Sequence, residues 1–234
     1  MDTLIIIPTY NEAKNIEPLI DKIFRIIPKV DILIIDDNSP DKTHDIVKKI
    51  KDERIKLIRR KRKMGLGTAY IKGFDFAIDN GYKYVFEMDA DFSHSPKIIP
   101  KMLKKAEKYD LVIGSRYIDG LNVVNWPLSR LLLSYFASFY VRLLTGMKIK
   151  DPTSGFKCYK ISTIKAINHK KIKSEGYSFQ IETNYRVFEK GLKIKEIPII
   201  FIDRKDGVSK MNLKIIFEAI FMVWRLKIFR SKKS

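Results

Sequence analysis

Cysteine is nearly absent from this 234-residue chain, which contains Cys158 and no other. One cysteine cannot form an internal disulfide, and the three scattered histidines do not combine with it into a zinc-binding pattern. The sequence also has no GxSxG segment, so nothing in it supports hydrolysis by a nucleophilic triad. These absences exclude a disulfide scaffold, a structural zinc site and a triad hydrolase.

Long apolar runs are missing as well. A membrane-spanning helix needs roughly 18 uninterrupted apolar residues, and the best candidate segments are broken by Arg130 and Arg142, or by Glu218 and Arg225. The N-terminus has an acidic second residue and an apolar run that stops at Pro8, which is unlike a signal peptide. We therefore expect a chain that does not span a bilayer.

Acidic residues are few relative to basic ones. The chain has 27 Asp and Glu against 46 Lys and Arg, a formal net charge of +19 and a pI of about 9.8. Such a surplus indicates an anionic partner, which could be nucleic acid, a membrane surface or a phosphorylated substrate. The hydrophobic share of 45% is enough to build a core, and the length fits one large domain.

Short apolar runs alternate with helical patterns through the first half of the chain. Strands are predicted over 4–8, 31–36, 55–60, 82–89 and 110–116, with helices over 12–27, 43–52, 64–80 and 98–108. Fully apolar strands in this alternation predict an α/β fold with a Rossmann-like, mostly parallel sheet and helices on both faces. Ligands in such sheets bind at the carboxyl ends of the strands. The residues predicted at those ends are Pro8, Asp36, Asp37, Asp89, Asp91 and Arg116.

The second half begins with a helical segment over about 121–145 that is rich in Leu, Phe and Tyr. It is either a core helix or an amphipathic helix in the headgroup region of a membrane. Arg130 and Ser134 are four residues apart and therefore share one face of it. A loop over 151–160, a helix over 176–191 and a strand over 193–204 follow, and the tail over 213–234 is predicted as a basic amphipathic helix.

The stretch "VFEMDADFSH" places Asp89 and Asp91 one residue apart after a strand. In an extended segment both carboxylates face the same way, and Mg²⁺ or Mn²⁺ prefers such oxygen ligands together with phosphate oxygens and water. On spacing alone, the other interpretation is a solvated turn in which one of the aspartates caps the helix near Pro96, and Ser93 is also a good N-cap.

Three other segments are candidate binding loops. "PTYNE" offers Tyr10 for stacking and Glu12 as an acceptor, and "IIDDNSPD" places Asp36 and Asp37 where carboxylates could bind a base or a ribose. "FIDRKDGVSKMN" carries Arg204 and Lys210 in a glycine-bearing basic loop. Each could also be an ordinary solvated loop.

Taken in order, these motifs resemble family 2 glycosyltransferases of the GT-A fold, and more narrowly dolichol-phosphate or polyprenyl-phosphate mannosyltransferases. The matching segments are "PTYNE", "IDDNSPD", "MGLGTA", "MDADFSH", "GSRY", "DPTSGFK", "YSFQIE" and "RKDGVSK". The resemblance extends from Ile5 to about Asn212. It implies a GT-A domain over 1–212 and a separate C-terminal membrane-interface helix over 213–234.

The resemblance also implies roles for individual residues. The donor nucleotide would be bound by Pro8, Tyr10, Glu12, Asp36, Asp37, Asp89, Ala90 and Asp91, with Arg204 and Lys210 closing on the reacting phosphates. A Mg²⁺ or Mn²⁺ ion would be bound by Asp89, Asp91 and Ser93, where several relatives carry Gln in place of Ser93. The residues implied in catalysis are Asp91, Arg116, Arg130, Ser134, Arg204 and Lys210, of which Arg116, Arg130 and Ser134 match the lipid-phosphate site.

The implied reaction is inverting transfer of mannose from GDP-mannose to the phosphate of dolichol or a related polyprenol. A phosphate nucleophile is already anionic near neutral pH, so no carboxylate base is required. The enzyme would be peripheral, at the cytoplasmic face of the membrane, with a possible separate membrane-anchoring partner.

Other functions remain open from the sequence. UDP-glucose or UDP-GlcNAc could replace GDP-mannose, and a sugar hydroxyl could be the acceptor if Asp151 or Glu182 served as a base. A nucleic-acid-binding protein is suggested by charge alone, but the chain lacks a recognised nucleic-acid module, and we predict no nucleic-acid partner.

Overall fold

A seven-stranded sheet flanked by helices forms the body of the computed structural model, which describes residues 2–202 and 221–226. The strands are β1 (Thr3–Thr9), β2 (Asp31–Asp36), β3 (Ile55–Arg59), β4 (Tyr84–Glu87), β5 (Leu111–Ser115), β6 (Val123–Val124), β7 (Lys157–Lys160), β8 (Ile194–Pro198) and β9 (Phe201–Ile202). The α-helices are α1 (Ile16–Ile26), α2 (Thr43–Lys49), α3 (Leu66–Asp79), α4 (Ile99–Ala106), α5 (Leu128–Thr145), α6 (Ile161–Ala166) and α7 (Gly176–Glu189).

The strand order is β3-β2-β1-β4-β7-β5-β8. The pairs β1–β2, β1–β4, β2–β3 and β5–β8 are parallel, whereas β7 runs antiparallel to both β4 and β5. The prediction of a mostly parallel α/β sheet is therefore confirmed. The antiparallel strand was missed because its four residues lie in a segment that resembles a loop and are too few to show a period.

Both faces of the sheet are covered, and the alternation of side chains along β1 and β2 shows how. Leu4 and Ile6 pack with α3 and α7 on one face, whereas Ile5 and Ile7 pack with α1, α2 and α4 on the other. Successive side chains of a strand point to opposite faces, so an all-apolar strand needs helices on both sides. This explains why the predicted strands read as continuous apolar runs.

The helix predicted from residue 121 begins seven residues later, at Leu128. Asn125 adopts a positive φ of 65°, and Pro127 precedes the first helical residue with an extended ψ of 143°. A left-handed residue and a proline both interrupt helical hydrogen bonding. The chain instead forms β6, which pairs in parallel with β9.

The strand predicted over 193–204 is divided between β8 and β9, and its last two positions, 203–204, lie outside the described residues. β8 ends at Pro198, and β9 leaves the main sheet to pair with β6. Proline cannot donate a backbone hydrogen bond, which disfavours continuation within a sheet.

Of the predicted C-terminal helix, the structure describes residues 221–226, which are helical. Met222 and Val223 are buried in the core on the α3 and α7 side, whereas Phe221 and Trp224 are exposed. The remainder of that helix and the predicted domain boundary at residue 212 lie outside the described residues. Within the described part of the chain, no helix is both long and apolar enough to cross a membrane.

Candidate functional site

A cleft of about 380 Å³ opens at the carboxyl ends of β1, β2, β4 and β5. Nine of the residues predicted from the sequence line it. They are Pro8, Tyr10, Glu12, Asp37, Asp89, Ala90, Asp91, Arg116 and Arg130. Strands in a parallel sheet end at one edge, so segments more than 100 residues apart meet in one place.

Asp89 and Asp91 follow β4 and both line the cleft. The Asp89 side chain is 37% exposed, and the backbone N–H of Ser93 donates to Asp91 Oδ1 at 3.1 Å. Two hard carboxylate oxygens fit a divalent cation that takes its other ligands from phosphate and water. Among the described residues, no cluster of three or more His, Cys, Asp and Glu could hold a metal by itself.

Ser93 has different surroundings from Asp89 and Asp91. Its side chain is buried, and its hydroxyl makes no hydrogen bond within the described residues. It is also not among the described residues that line the cleft. The structure thus shows Ser93 orienting Asp91 through its backbone, and direct metal binding by its hydroxyl stays a prediction.

His94 contacts the backbone of Asp89 and also lines the cleft. Its ring stacks on Phe156 at a centroid distance of 5.0 Å, and its Nδ1 accepts the Asp89 backbone N–H at 3.4 Å. Burial lowers the pKa of His94 to about 4, below its ordinary 6.5, although the negative charge of Asp91 opposes this. The imidazole is therefore neutral at pH 7 and acts as an acceptor toward the backbone of Asp89.

Asp37 and Asp36 have different surroundings although they are adjacent. Asp37 lines the cleft, pairs with Arg60 and accepts the Met64 backbone N–H at 3.0 Å. Asp36 is fully buried, and its Oδ2 accepts the Thr9 hydroxyl at 2.9 Å. Asp36 does not line the cleft as the structure describes it, so its carboxylate fixes the loops beneath the cleft and a direct nucleoside contact stays untested.

The start of α3 is an anion-binding position that a side chain of the protein already fills. Glu175 accepts the backbone N–H groups of Gly67 at 2.8 Å and Thr68 at 3.3 Å. A Cβ on Gly67 would lie 2.6 Å from the carbonyl oxygen of Ser174. The glycine is therefore needed for close approach to the protein's own backbone, and Glu175 joins the start of α7 to the start of α3 across the cleft wall.

Arg116 is held by a buried carboxylate. Its Nε and Nη2 donate to Asp151 at 2.7 and 2.6 Å, and Nη2 also donates to the Thr153 hydroxyl at 2.7 Å. The bidentate pair with Asp151 raises the pKa of Arg116 despite its burial, so the guanidinium stays charged. Arg116 also lines the cleft, so a buried and permanently charged guanidinium forms part of its wall.

Arg130 and Ser134 occupy the first half of α5. Arg130 lines the cleft, with its guanidinium carbon 4.3 Å from the centroid of the Trp126 ring. Ser134 accepts the Tyr117 hydroxyl at 2.6 Å and is not among the described cleft-lining residues. Arg204 and Lys210, the remaining predicted cations, lie outside the described residues.

Asp151 and Glu182, the two carboxylates considered as a base for a hydroxyl acceptor, are both paired with arginine side chains. Asp151 is fully buried and bound to Arg116. Glu182 is 8% exposed, accepts the Ser174 hydroxyl at 2.5 Å and pairs with Arg186 at 2.7 Å. A base has to reach the acceptor proton, and neither residue is among the described residues that line the cleft.

Several cleft residues received no role from the sequence. The most prominent are Arg60, His94, Trp126, Gly155, Glu175 and Gln180. Three of these six, His94, Gly155 and Gln180, lie inside the motifs "MDADFSH", "DPTSGFK" and "YSFQIE". The motifs indicated the segments, but which side chain faces the cleft depends on packing between distant elements.

Comparison with known proteins gives a consistent result. Residues 4–167 match the model of glycosyl transferase family 2. The undecaprenyl-phosphate mannosyltransferase of Micrococcus luteus is 40% identical over 227 residues, covering 96% of this chain and 93% of the relative. The polyprenol monophosphomannose synthase of Mycolicibacterium smegmatis is 41% identical over 225 residues, covering 94% and 85%.

Solved structures agree on the fold. Glucosyl-3-phosphoglycerate synthase from Mycobacterium tuberculosis, in complex with Mn²⁺, UDP and glucosyl-3-phosphoglycerate, has a TM-score of 0.70 at 16% identity and covers 96% of this chain and 79% of its own. The predicted GT-A architecture is confirmed. The family match and the relatives confirm that the chain is a glycosyltransferase and belongs to glycosyl transferase family 2.

Proposed function

We propose that the protein transfers mannose from GDP-mannose to the phosphate of dolichol or another polyprenol, with inversion at the anomeric carbon. The observation that carries this proposal is the composition of the cleft, where Asp89 and Asp91 lie in the same cavity as Arg116 and Arg130. A carboxylate pair suits the metal-bound diphosphate of a donor, and an arginine pair suits a second anion. The names of the two relatives support a polyprenyl-phosphate acceptor and a mannosyl group.

The donor side is built around Asp89 and Asp91. A bound Mg²⁺ or Mn²⁺ would stabilise the negative charge that develops on the departing GDP. Asp89 and Asp91 would hold that ion, with Asp89 fixed through its backbone by His94. Tyr10 and Asp37 line the same cleft and would hold the nucleoside, by stacking and by accepting hydrogen bonds.

The acceptor side supplies positive charge and no base. A polyprenyl phosphate oxygen would attack the anomeric carbon while the bond between that carbon and the GDP oxygen breaks. Arg116 and Arg130 would hold the attacking phosphate in line and reduce the repulsion between the two anions. Because this nucleophile has no proton to lose near neutral pH, the engagement of Asp151 and Glu182 elsewhere is consistent with the proposal.

Helix α5 would make the contact with the membrane. Its exposed side chains Leu128, Leu132, Phe136, Phe139 and Leu143 recur at helical spacing, which is an apolar stripe on one face. The second half of α5 packs on the core through Val141, and all three buried residues of the helix, Ser138, Val141 and Thr145, lie in that half. An apolar stripe beside a cleft with two arginines suits a peripheral enzyme lying on the cytoplasmic face of a membrane.

A donor assay tests the chemistry. Labelled GDP-mannose, UDP-glucose and UDP-GlcNAc are each offered with polyprenyl phosphate, and with the matching polyprenol as control. We expect a lipid-linked product from GDP-mannose and the phosphate, its loss with a chelator and its return with Mg²⁺ or Mn²⁺. Product from a UDP-sugar alone would replace the donor, and no lipid-linked product from any donor would refute the function.

A flotation assay tests the membrane contact. The double variant Phe136→Ser and Phe139→Ser should float less with anionic liposomes, because about 0.8 kcal/mol is lost per apolar CH₂ group no longer buried. Lys101→Arg and Lys104→Arg on α4, which keep the charge, are the control for an unrelated surface. Activity toward acceptor in detergent should survive the α5 changes, and equal flotation of all proteins would exclude α5 as the contact.

A further inference from the structure

Trp126 lies between the two arginines of the proposed acceptor site. The centroid of its ring is 5.3 Å from the guanidinium carbon of Arg116 and 4.3 Å from that of Arg130. Phe201 packs against the same ring, edge to face, at 5.5 Å. The indole therefore contacts both cations, and it also lines the cleft.

The Trp126 ring has described contacts through its π system and none through its polar nitrogen. Its Nε1 is buried without a hydrogen-bond partner among the described residues. A tryptophan that packs in a protein interior ordinarily finds a partner for this N–H. The described contacts of its ring are the two guanidinium groups and Phe201. Among aromatic side chains, an indole attracts a cation over its face most strongly.

The two arginines come from different parts of the fold. Arg116 is fixed independently by Asp151 and Thr153. Arg130 is on the first half of α5, which contributes no residue to the buried set of that helix within the described structure. The indole contact and the bond from Tyr117 to Ser134 join this half of α5 to the cleft.

We propose that Trp126 is a positioning residue of the acceptor site, which holds Arg116 and Arg130 together so that one phosphate monoester anion binds to both. Two guanidinium groups that share one site repel each other. An indole that attracts both guanidinium groups offsets this repulsion without adding a negative charge that would repel the anion. The inference rests on the proposed function for the identity of the anion as a prenyl phosphate.

Two substitutions of Trp126 distinguish this positioning role from simple space filling. Trp126→Phe keeps an aromatic face with a weaker attraction for cations, whereas Trp126→Leu keeps apolar bulk and loses the face. We expect the KM for polyprenyl phosphate to rise severalfold in the first variant and roughly tenfold or more in the second. The KM for the donor and the thermal midpoint should change little in either. Equal effects of the two variants, or a parallel rise in both KM values, would overturn the proposal.

A binding experiment makes the test independent of turnover. The chain has two tryptophans, so the full-length variant Trp224→Phe leaves Trp126 as the sole indole fluorophore. This protein is titrated with farnesyl phosphate, and with farnesol as the matched alcohol, without donor or metal. We expect a saturable change in emission with the phosphate and not with the alcohol, weakened at least severalfold by Arg130→Gln.

The outcomes distinguish the two proposals. Phosphate-specific binding without any transfer activity would leave the role of Trp126 standing and refute the proposed function. An identical response to farnesyl phosphate and farnesol, or none to either in an enzyme that is active on polyprenyl phosphate, would refute the role of Trp126 and leave the function standing.

Discussion

At the scale of single residues, Gly155 lies where an added side-chain atom would come close to Asp89 and the proposed metal site. A Cβ built there would lie 3.6 Å from Asp89 Oδ2, 3.6 Å from Gln180 Nε2 and 3.8 Å from His94 Cε1. These are ordinary van der Waals distances, so the fold itself would accept a methyl group. A methyl group beside Asp89 would nevertheless occupy volume next to the proposed metal and diphosphate.

Gly155→Ala should therefore separate function from stability. We expect a thermal midpoint close to that of the wild type, and a fall in kcat/KM for the donor of roughly tenfold to a hundredfold, because small displacements of reacting groups are costly. The matched control is Gly114→Ala, whose Cβ would meet Ile199 Cγ2 at 2.9 Å and should cost about 1–3 kcal/mol of stability. A stable Gly155→Ala enzyme with unchanged donor kinetics would show that the donor lies elsewhere.

Asp151 is the counter-ion of Arg116, and this assignment has a measurable consequence. Asp151→Asn should lower the free energy of unfolding by about 3–5 kcal/mol, because it leaves a buried guanidinium without its charge partner. Denaturant unfolding measures this loss, with Asp119→Asn in the exposed loop after β5 as control. A general base predicts the opposite pattern, in which stability is kept and turnover is lost.

At the scale of elements, β7 determines what lies beneath the cleft. It enters the sheet between β4 and β5, and its register pairs Lys157 with Glu87. Both side chains are fully buried, with Lys157 Nζ 4.0 Å from Glu87 Oε2. The same ammonium donates to the Gln180 carbonyl at 3.1 Å and the Thr183 hydroxyl at 3.0 Å. One inserted strand thus connects the strand before Asp89 with α7.

A double-mutant cycle tests this buried pair. Lys157→Met should destabilise the protein by about 3–5 kcal/mol, since it leaves Glu87 buried without a cation. The double variant Glu87→Gln and Lys157→Met should be less destabilised than the sum of the single changes, by about 0.5–3 kcal/mol. Additive losses measured by denaturant unfolding would mean that the two groups do not interact.

Alkaline pH provides a separate measurement on Lys157. Burial lowers its pKa to about 8 from an ordinary 10.5, although the charge of Glu87 opposes this. Between these two values the unfolded chain binds more protons than the folded one, so this group makes the free energy of unfolding rise with pH. The stability of the wild type relative to Lys157→Met should therefore increase from pH 8 to 10, by up to about 1.4 kcal/mol per pH unit. A constant difference across that range would contradict the lowered pKa.

At the scale of the whole molecule, charge and exposed apolar surface act together. The formal net charge is +19, and apolar side chains outside α5 are exposed as well. Among the described residues these are Met64, Leu121, Val124, Ile200, Ile202, Phe221 and Trp224. Val124 and Ile202 are partners in the small β6–β9 sheet. Its strand β6 directly precedes α5 in the chain, and Phe201 of β9 lines the cleft. Attraction to an anionic surface and insertion of apolar side chains are the two contributions that peripheral binding requires.

Salt should reduce the electrostatic contribution to membrane binding and leave the apolar contribution nearly unchanged. Binding to anionic liposomes should weaken as ionic strength rises from about 0.1 M to 1 M, where the screening length falls from about 10 Å to about 3 Å. Binding to zwitterionic liposomes, the control, should be weaker from the start and nearly independent of salt. Sedimentation measures both, and equal binding to the two liposome types at low salt would remove charge from the explanation.

The sequence by itself determined the alternation of apolar strands and helices, and with it the mostly parallel sheet covered on both faces. It also determined that acidic and basic residues collect at one edge of that sheet, because strand ends can be located from periodicity and parallel strands end together. The order of the motifs was enough to identify the family. All of these are local patterns, which a linear chain displays directly.

Only the tertiary structure decided which of those residues face the cleft. It placed Asp36 and Ser93 in the interior, joined Arg116 to Asp151 across 35 positions, inserted β7 between β4 and β5 and set Trp126 against two arginines. Each of these contacts joins residues from different elements, or depends on which way a side chain turns within a loop. Spacing along the chain does not encode such pairings, because they result from the packing of whole elements against one another.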